Sequence, residues 1–365
     1  MNRRRFLQSA IVTSAFAVAL VGQGGVFAEA SSQFAQGTNS GPTYTVVNSV
    51  PIGGVGEWGY LTLDSAARRL YLPRTNDVQV MDLDSNTVVG TMANVSTQVN
   101  HGVAIAPDQN LGFATAGKDN NVAVFDPATL TVTARIPVDG NPNAIVYDPA
   151  SKKVLVNTHT DDVIIDPANL TATPVDIPMG VGLEYATVDG RGNAFVAIES
   201  SNEVVRIDMN TNQITARWPV VPGATPSGIT YDATHNRVIV SCHSGTTDQY
   251  ANGTLVVLDA DSGNVISATP IGQGASGLAY DPVHDVIMTA NGGDGTASVV
   301  KETSPGEYQL IQTLNTIPGA RHVVFDAKTN LFYLEGDLSG NNSYDQGENF
   351  GVLVVGPANS NNNQG

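Results

Sequence analysis

Seven polar residues, spread over more than half of the chain, have the side-chain types that bind ligands and transfer protons. Imidazole and carboxylate groups together suit Zn, Mn or Fe, whereas oxygen ligands alone suit Ca or Mg. His101, Glu184, Glu199 and His243 are therefore the candidates for a divalent metal or for proton transfer. The planar fork of Arg321 fits a carboxylate or phosphate group. The full candidate set for ligand binding is His101, Asn143, Glu184, Glu199, His243, Asn291 and Arg321.

An internal repeat of about 44 residues must position these side chains. Its clearest copy runs from Asn100 to Gly140 and contains four apolar runs rich in Val, Ile, Phe and Thr. These runs are Val103–Ala106, Leu111–Thr115, Val122–Phe125 and Val132–Val138. Each has the length of a β-strand, lacks helical periodicity and is bounded by Pro, Asp, Asn or Gly. A four-strand unit repeated at this spacing predicts a β-propeller.

The first strand of the unit recurs seven times along the chain. The predicted copies are Tyr60–Asp64, Val103–Pro107, Ala144–Asp148, Tyr185–Asp189, Gly228–Asp232, Gly277–Asp281 and His322–Asp326. The last unit has only three strands and ends at Gly351–Val355, whereas Tyr44–Ile52 reads as a fourth strand without its unit. The sequence therefore predicts an all-β, seven-bladed propeller of four-stranded antiparallel blades. The N-terminal strand would complete the last blade and close the ring.

The repeat places the candidate residues at two kinds of loop. His101, Asn143, Glu184 and Arg321 precede a first strand, as do Glu57 and Trp58, and the other three candidates join a second strand to a third. Both loops open on the same face of a propeller, so we expect a polar pocket at one mouth of the central channel. The alternative is a mouth that is polar only because it holds water and its residues pair with one another. HExxH, GxSxG and paired-cysteine motifs, which would favour a particular chemistry, are absent.

The repeat also predicts positions for the remaining four histidines, but less precisely. His159 lies in a second-to-third connection beside Asp161. His322 follows Arg321 in a first strand and could point into the channel or between blades. His235 and His284 occupy first-to-second turns, which we expect on the opposite face.

Composition and charge limit the classes of partner. The 365 residues include 37 Gly and 19 Pro, which suits an all-β chain with many turns. The formal net charge of −17 disfavours nucleic acid as a partner, because an acidic surface repels phosphate backbones. The single cysteine, Cys242, excludes an intramolecular disulfide, and its strand-like context predicts a small buried hydrophobic residue.

The N-terminus has the pattern of an export signal. Arg3 to Leu7 resembles the twin-arginine motif, an apolar stretch follows, and Ala28-Glu29-Ala30 fits a small-x-small cleavage site. The apolar stretch is short for a membrane span, although an uncleaved anchor is the alternative. We expect residues 1–30 to be a twin-arginine-type signal peptide, 31–42 a linker, 43–356 the propeller and 357–365 a disordered tail. This predicts a periplasmic or secreted protein without a membrane span after removal of the signal.

The repeats resemble a known family. A Val-x-Val-x-Asp third strand, a fourth strand ending like Ile136-Pro137-Val138, and the segments Leu278–Pro282 and Asn291–Thr296 are similar to exported YVTN-repeat, YncE-like seven-bladed propellers of the WD40-like repeat superfamily. The resemblance covers about residues 43–356. It implies the propeller fold and a role in binding or scaffolding, and less often catalysis.

These observations favour an exported, monomeric binding or scaffold protein whose central pocket takes a small molecule or a protein partner, without catalysis or a required cofactor. The alternative is a lactonase-like hydrolase or lyase with a divalent metal at the channel mouth and Glu184 or Glu199 as the base. A third possibility is a cell-surface protein that engages another protein through its long loops, Ser244–Gly253 and Gly336–Asn349. The second loop carries oxygen ligands that would suit calcium but lacks EF-hand spacing, so a solvated loop is the alternative. Those ligands are Asp337, Asn341, Asp345 and Glu348.

Overall fold

The computed structural model describes residues 42–54, 59–97, 100–159, 161–175, 182–340 and 349–358, with only the backbone of Asn100. Within these ranges, twenty-eight strands form seven four-stranded antiparallel sheets. The chain opens with β1 (Tyr44–Pro51). Blade 1 contains β2 (Thr62–Asp64), β3 (Arg69–Pro73), β4 (Val78–Asp82) and β5 (Thr87–Met92). Blade 2 contains β6 (Asn100–Ala106), β7 (Leu111–Ala116), β8 (Asn121–Asp126) and β9 (Thr131–Pro137).

The next three blades repeat this order. Blade 3 contains β10 (Ile145–Asp148), β11 (Lys153–Asn157), β12 (Asp162–Asp166) and β13 (Thr171–Val175). Blade 4 contains β14 (Leu183–Val188), β15 (Asn193–Ile198), β16 (Glu203–Asp208) and β17 (Gln213–Pro219). Blade 5 contains β18 (Gly223–Asp232), β19 (Arg237–Gly245), β20 (Thr254–Asp259) and β21 (Val265–Pro270).

The last two blades complete the ring. Blade 6 contains β22 (Ala275–Asp281), β23 (Val286–Asn291), β24 (Thr296–Ser304) and β25 (Glu307–Asn315). Blade 7 contains β26 (Val323–Asp326), β27 (Leu331–Asp337) and β28 (Phe350–Pro357), followed by β1 as its fourth strand. The helices in the described ranges are two short 3-10 turns, Pro107–Gln109 and Asp248–Tyr250. The predicted all-β, seven-bladed architecture is confirmed.

The N-terminal strand closes the ring as the sequence predicts. β1 runs antiparallel to β28, with Val46 opposite Val355 and Pro51 opposite Gly351. The first strands of neighbouring blades contact one another around the axis, and β2 contacts both β6 and β26. Blade 7 therefore has four strands, like each of the other six blades.

Turn chemistry and core packing explain why these residues form short strands. Asp126 accepts backbone hydrogen bonds from Ala128 and Thr129, which fixes the turn that follows β8. The apolar faces of the strands pack between adjacent blades in seven buried clusters. Cys242 is fully buried in one of them, and burial raises the pKa of its thiol to about 12. The prediction of a buried, hydrophobic cysteine is confirmed.

Several predicted features lie outside the described residues. They include the signal peptide of residues 1–30 and most of the linker, Glu57 and Trp58, and the loop residues Asn341, Asp345 and Glu348. Asp337 is described and is buried at the end of β27, where its carboxylate accepts hydrogen bonds from the backbone and hydroxyl of Ser339. No helix in the described part of the chain is long and apolar enough to cross a membrane.

Candidate functional site at the channel mouth

A cavity of about 240 Å³ lies at the end of the central channel where the predicted loops converge. One repeat position contributes a residue from each of the seven blades. It lies five residues before the residue that begins the turn between the first and second strands, such as Asp148 in blade 3. These mouth residues are Gly59, His101, Asn143, Glu184, Ser227, Ser276 and Arg321. The remaining lining residues are Tyr60, His159, Tyr185, His243 and His322.

Buried polar side chains on the second strands hold the mouth residues in place. Thr115 of blade 2 donates a hydrogen bond of 2.9 Å to the carbonyl oxygen of Asn143 in blade 3. The Asn157 amide of blade 3 donates to the carbonyl of Glu184 in blade 4, and the Ser241 hydroxyl of blade 5 donates to the carbonyl of Ser276 in blade 6. Thr115, Asn157 and Ser241 occupy equivalent positions and are fully buried. We call these contacts the inter-blade bonds, because each fixes the backbone of a mouth residue to the blade before it.

Three aromatic rings form the floor of the cavity. Tyr60, Tyr185 and His322 each follow a mouth residue, at a position where the other four blades have Gly or Ala. The Tyr60 ring lies edge-on to the other two, with centroid distances of 4.3 Å to Tyr185 and 5.0 Å to His322. A second cavity of about 550 Å³ is lined by residues further along the same strands, such as Leu61 and Val323. The three rings, from blades 1, 4 and 7, therefore separate the mouth cavity from the rest of the channel.

A histidine and a glutamate form a buried pair at this floor. Nδ1 of His322 is hydrogen-bonded to Oε1 of Glu335, which is fully buried on β27. Burial raises the pKa of Glu335, and the neighbouring His322 opposes that shift. Among the described residues, Oε2 of Glu335 and Nε2 of His322 have no hydrogen-bond partner. We call His322 and Glu335 the channel pair; its imidazole lines the cavity although His322 is only 6 % exposed.

Two carboxylates of blade 4 give the mouth its acid–base character. Burial, and then the charge of Glu199, raise the pKa of Glu184 to about 7. The Tyr60 hydroxyl donates a 3.4 Å hydrogen bond to Oε2 of Glu184, and Arg321 also lowers this pKa to a smaller extent. Glu199 lies beside the cavity, with Oε1 4.0 Å from Nδ1 of His243. Glu184 is therefore divided between its protonated and ionised forms near neutral pH.

Two of the cavity histidines, His101 and His243, have pKa values below the usual range. Burial, reinforced by the neighbouring His159 and His322, lowers the pKa of His101 to about 4. Burial also lowers the pKa of His243, which Glu199 partly opposes. The Nε2 atom of His243 lies 3.2 Å from the Ser276 hydroxyl. Neutral imidazoles both donate and accept hydrogen bonds, so they suit a ligand rich in hydroxyl or carbonyl oxygen.

The structure brings five of the seven predicted ligand-binding residues into the cavity lining. These are His101, Asn143, Glu184, His243 and Arg321. Glu199 lies at its edge. Asn291 is placed elsewhere: it is fully buried at the end of β23, where its amide donates to Thr296 and Ser298. The reason is that β23 extends to Asn291 and turns its side chain into the blade.

The four metal candidates are not grouped around one point, and the divalent metal at the channel mouth stays a prediction. Among the described residues, no group of three or more His, Cys, Asp or Glu side chains has an arrangement that could hold a metal ion. His243 and Glu199 lie 4.0 Å apart, but neither His101 nor Glu184 forms a group of three ligands with them.

Sequence reasoning did not include Tyr60, Tyr185 or the channel pair among the site residues. Comparison of the repeats could have identified three of them, because a ring at a Gly or Ala position of the first strand must project into the channel. Glu335 lies within β27, which extends to Asp337. Its role depends on a side-chain contact between two strands, for which the repeat pattern gives no direct signal.

The fold and the cavity define a seven-bladed β-propeller with a polar pocket at one channel mouth. Residues 52–287 match the family described as Domain of unknown function (DUF5074), and the chain belongs to this family. The solved structure of Kuenenia stuttgartiensis hydrazine synthase contains a similar chain, with a TM-score of 0.69 and 15 % sequence identity, over 83 % of this chain and 96 % of that one. At this identity the likeness shows the fold alone. No curated protein matches the chain in sequence, and the YVTN-repeat, YncE-like resemblance stays a prediction.

Proposed function

We propose that this protein binds a small, oxygen-rich polar ligand in the mouth cavity. The observation that carries the proposal is the convergence of one residue from each of the seven blades on a single cavity. Binding sites on propellers and barrels are built in this way, by varying a few residues on a rigid scaffold.

The size and polarity of the cavity limit the ligand. A cavity of about 240 Å³ lies below the range of roughly 300–1,000 Å³ that is usual for ligand pockets, so the ligand must be small. Asn143, Ser227 and Ser276 supply neutral hydrogen-bonding groups, and Arg321 supplies a positive charge that suits a carboxylate. A hydroxy acid, an oxo acid or a lactone fits these groups better than an extended apolar molecule.

A thermal-shift screen with small hydroxy acids, lactones, sugars and phosphate esters tests this proposal. A compound present at 100 times its Kd should stabilise the protein by about 2.7 kcal/mol. Calorimetry should then show that Arg321→Ala weakens binding at least tenfold. Arg191→Ala is the matched control, because Arg191 lies in a first-to-second turn and bonds to Tyr231 and Asn236. The proposal fails if no compound in the panel binds, or if both variants bind equally well.

We further propose that the protein acts outside the cytoplasm. The support is the twin-arginine-like pattern from Arg3 to Leu7. Replacement of Arg3 and Arg4 by Lys should retain the protein in the cytoplasmic fraction of an expressing bacterium. Equal export of the unchanged chain and this variant would contradict the proposal.

A further inference from the structure

The channel pair departs from the repeat at two positions in one blade. His322 occupies the first-strand position where four blades have Gly or Ala, and Glu335 occupies the position of Thr115, Asn157 and Ser241. In blades 2, 3 and 5 that position forms an inter-blade bond. Glu335 instead bonds to a side chain of its own blade. Blade 7 has therefore replaced a structural contact by a titratable one.

The orientation of the imidazole gives this replacement a chemical consequence. A buried carboxylate that accepts a hydrogen bond from Nδ1–H fixes the ring and its tautomer, which leaves the lone pair of Nε2 as a proton acceptor. The ring lines the cavity, and Nε2 has no hydrogen-bond partner among the described residues. Glu184 belongs to blade 4. Around the ring, two blades lie between blade 4 and blade 7 in one direction and three in the other. A base and an acid thus face the cavity from opposite sides.

We infer that the mouth cavity hydrolyses a small lactone or carboxylic ester, with His322 as general base, Glu335 as its positioning residue and Glu184 as general acid. This inference rests on the proposed binding of an oxygen-rich ligand in the same cavity. The substrate class follows from the groups present: hydrolysis of an ester carbonyl needs only water, one base and one acid.

The proposed reaction balances with water as the sole co-reactant. Nε2 of His322 takes a proton from water as the water oxygen bonds to the carbonyl carbon. The tetrahedral intermediate then collapses, the bond from that carbon to the ring or ester oxygen breaks, and the leaving oxygen takes the proton of Glu184. Solvent returns the proton from the imidazolium to Glu184. The products are a carboxylic acid and an alcohol, joined in one molecule if the substrate is a lactone.

The surroundings of both groups bear on the pH dependence. Glu199, Arg321 and Tyr60 act on Glu184, whereas Glu335, His101, Tyr60 and Tyr185 surround His322. The pKa of Glu184 is raised to about 7, so the acid form is lost as the pH rises through that value. Hydrolysis should therefore fall above pH 7.

The test measures hydrolysis of γ-butyrolactone by NMR and of p-nitrophenyl acetate by absorbance, using the full chain. We expect His322→Gln to lower kcat/KM at least 100-fold, and Glu335→Gln to lower kcat about tenfold with KM unchanged. Glu184→Gln should lower the rate and remove the decrease above pH 7. His284→Gln is the matched control, because His284 is also paired with a carboxylate but lies in a first-to-second turn. Urea denaturation of each variant verifies that it is folded.

Binding of the product 4-hydroxybutyrate, measured by calorimetry, separates this inference from the proposed function. If the product binds and His322→Gln hydrolyses the lactone as fast as the unchanged chain, the catalytic inference is wrong and the binding proposal stands. The catalytic inference is equally wrong if the product binds but neither probe is hydrolysed above the background rate. If neither probe nor product binds, both proposals are wrong for this ligand class.

Discussion

Histidine–carboxylate pairs occur in two regions of this propeller, and they differ in how each is supported. At the rim opposite the mouth, Nδ1 of His284 lies 2.7 Å from Asp281, and Nδ1 of His235 lies 2.8 Å from Asp232. Each of these rim pairs is local, spans three residues and leaves 34 % of the imidazole side chain exposed. The channel pair spans thirteen residues, from the residue before β26 to β27, and its carboxylate is fully buried.

The difference shows what each pair contributes. The rim aspartates also accept hydrogen bonds from the backbone N–H groups of their turns. They therefore cap these turns, and the contact with histidine is a second interaction of the same carboxylate. The channel pair caps no turn and leaves a buried oxygen of Glu335 without a partner among the described residues. Buried, incompletely bonded carboxyl groups reduce stability, which favours a functional reason for this pair.

The largest expected difference between the mouth and the rim is the loss of stability when a glycine is replaced by alanine. A Cβ atom at Gly228, near the mouth, would lie 2.1 Å from the carbonyl oxygen of Ser276, whereas one at Gly190 in a rim turn would meet nothing within 4 Å. Gly228→Ala should lower the free energy of unfolding by about 3 kcal/mol. Gly190→Ala should cost about 1 kcal/mol, because Gly190 has a φ of +67°. Urea denaturation of both variants measures the contrast, and equal losses would refute it.

The next contrast concerns buried aspartates. Asp162, at the mouth end of β12, is fully buried without a hydrogen-bond partner in the described structure, and burial raises its pKa well above the usual value. As the pH rises above about 4, the unfolded chain loses this proton first, so Asp162 reduces stability progressively towards its folded pKa. Asp162→Asn should therefore stabilise the protein by about 1 kcal/mol or more at pH 7, and less at pH 4.

Asp281→Asn provides the rim control for this prediction. Its carboxylate caps a turn through Val283 and His284, so the same chemical change should destabilise the protein by about 1 kcal/mol at pH 7. Unfolding curves at both pH values distinguish the two sites. Destabilisation by Asp162→Asn at pH 7 would show that Asp162 is ionised and paired in solution.

The smallest expected effect is on the acid–base balance of the mouth. Glu199→Gln removes a charge that raises the pKa of Glu184, so this pKa should fall below about 7. Because the folded pKa is raised, Glu184 lowers stability as the pH rises from its unfolded value to about 7, and the variant should show a smaller loss. Carboxyl ¹³C NMR titration follows the change. An unchanged midpoint would show that Glu199 does not act on Glu184.

The sequence predicted the fold better than the site, for a physical reason. Strand length, turn residues and the unpaired β1 segment are local signals, and they were sufficient for seven blades and the ring closure. The mouth residues could be found because one repeat position converges on the axis. Asn291 was placed wrongly, because strand extension decides whether its side chain faces the cavity or the blade interior. The contact of Glu335 with His322 also depends on side-chain orientation, which the repeat does not specify.

The tautomer of His322 tests its assignment as the base most directly, and a long-range ¹H–¹⁵N NMR spectrum of the labelled full chain, assigned with His322→Gln, measures it. We expect the neutral ring to carry its proton on Nδ1, which contacts Glu335, and the Nε2 resonance to shift when 4-hydroxybutyrate is added. A proton on Nε2, or a resonance that does not respond to the added acid, would contradict a base that faces an open binding cavity.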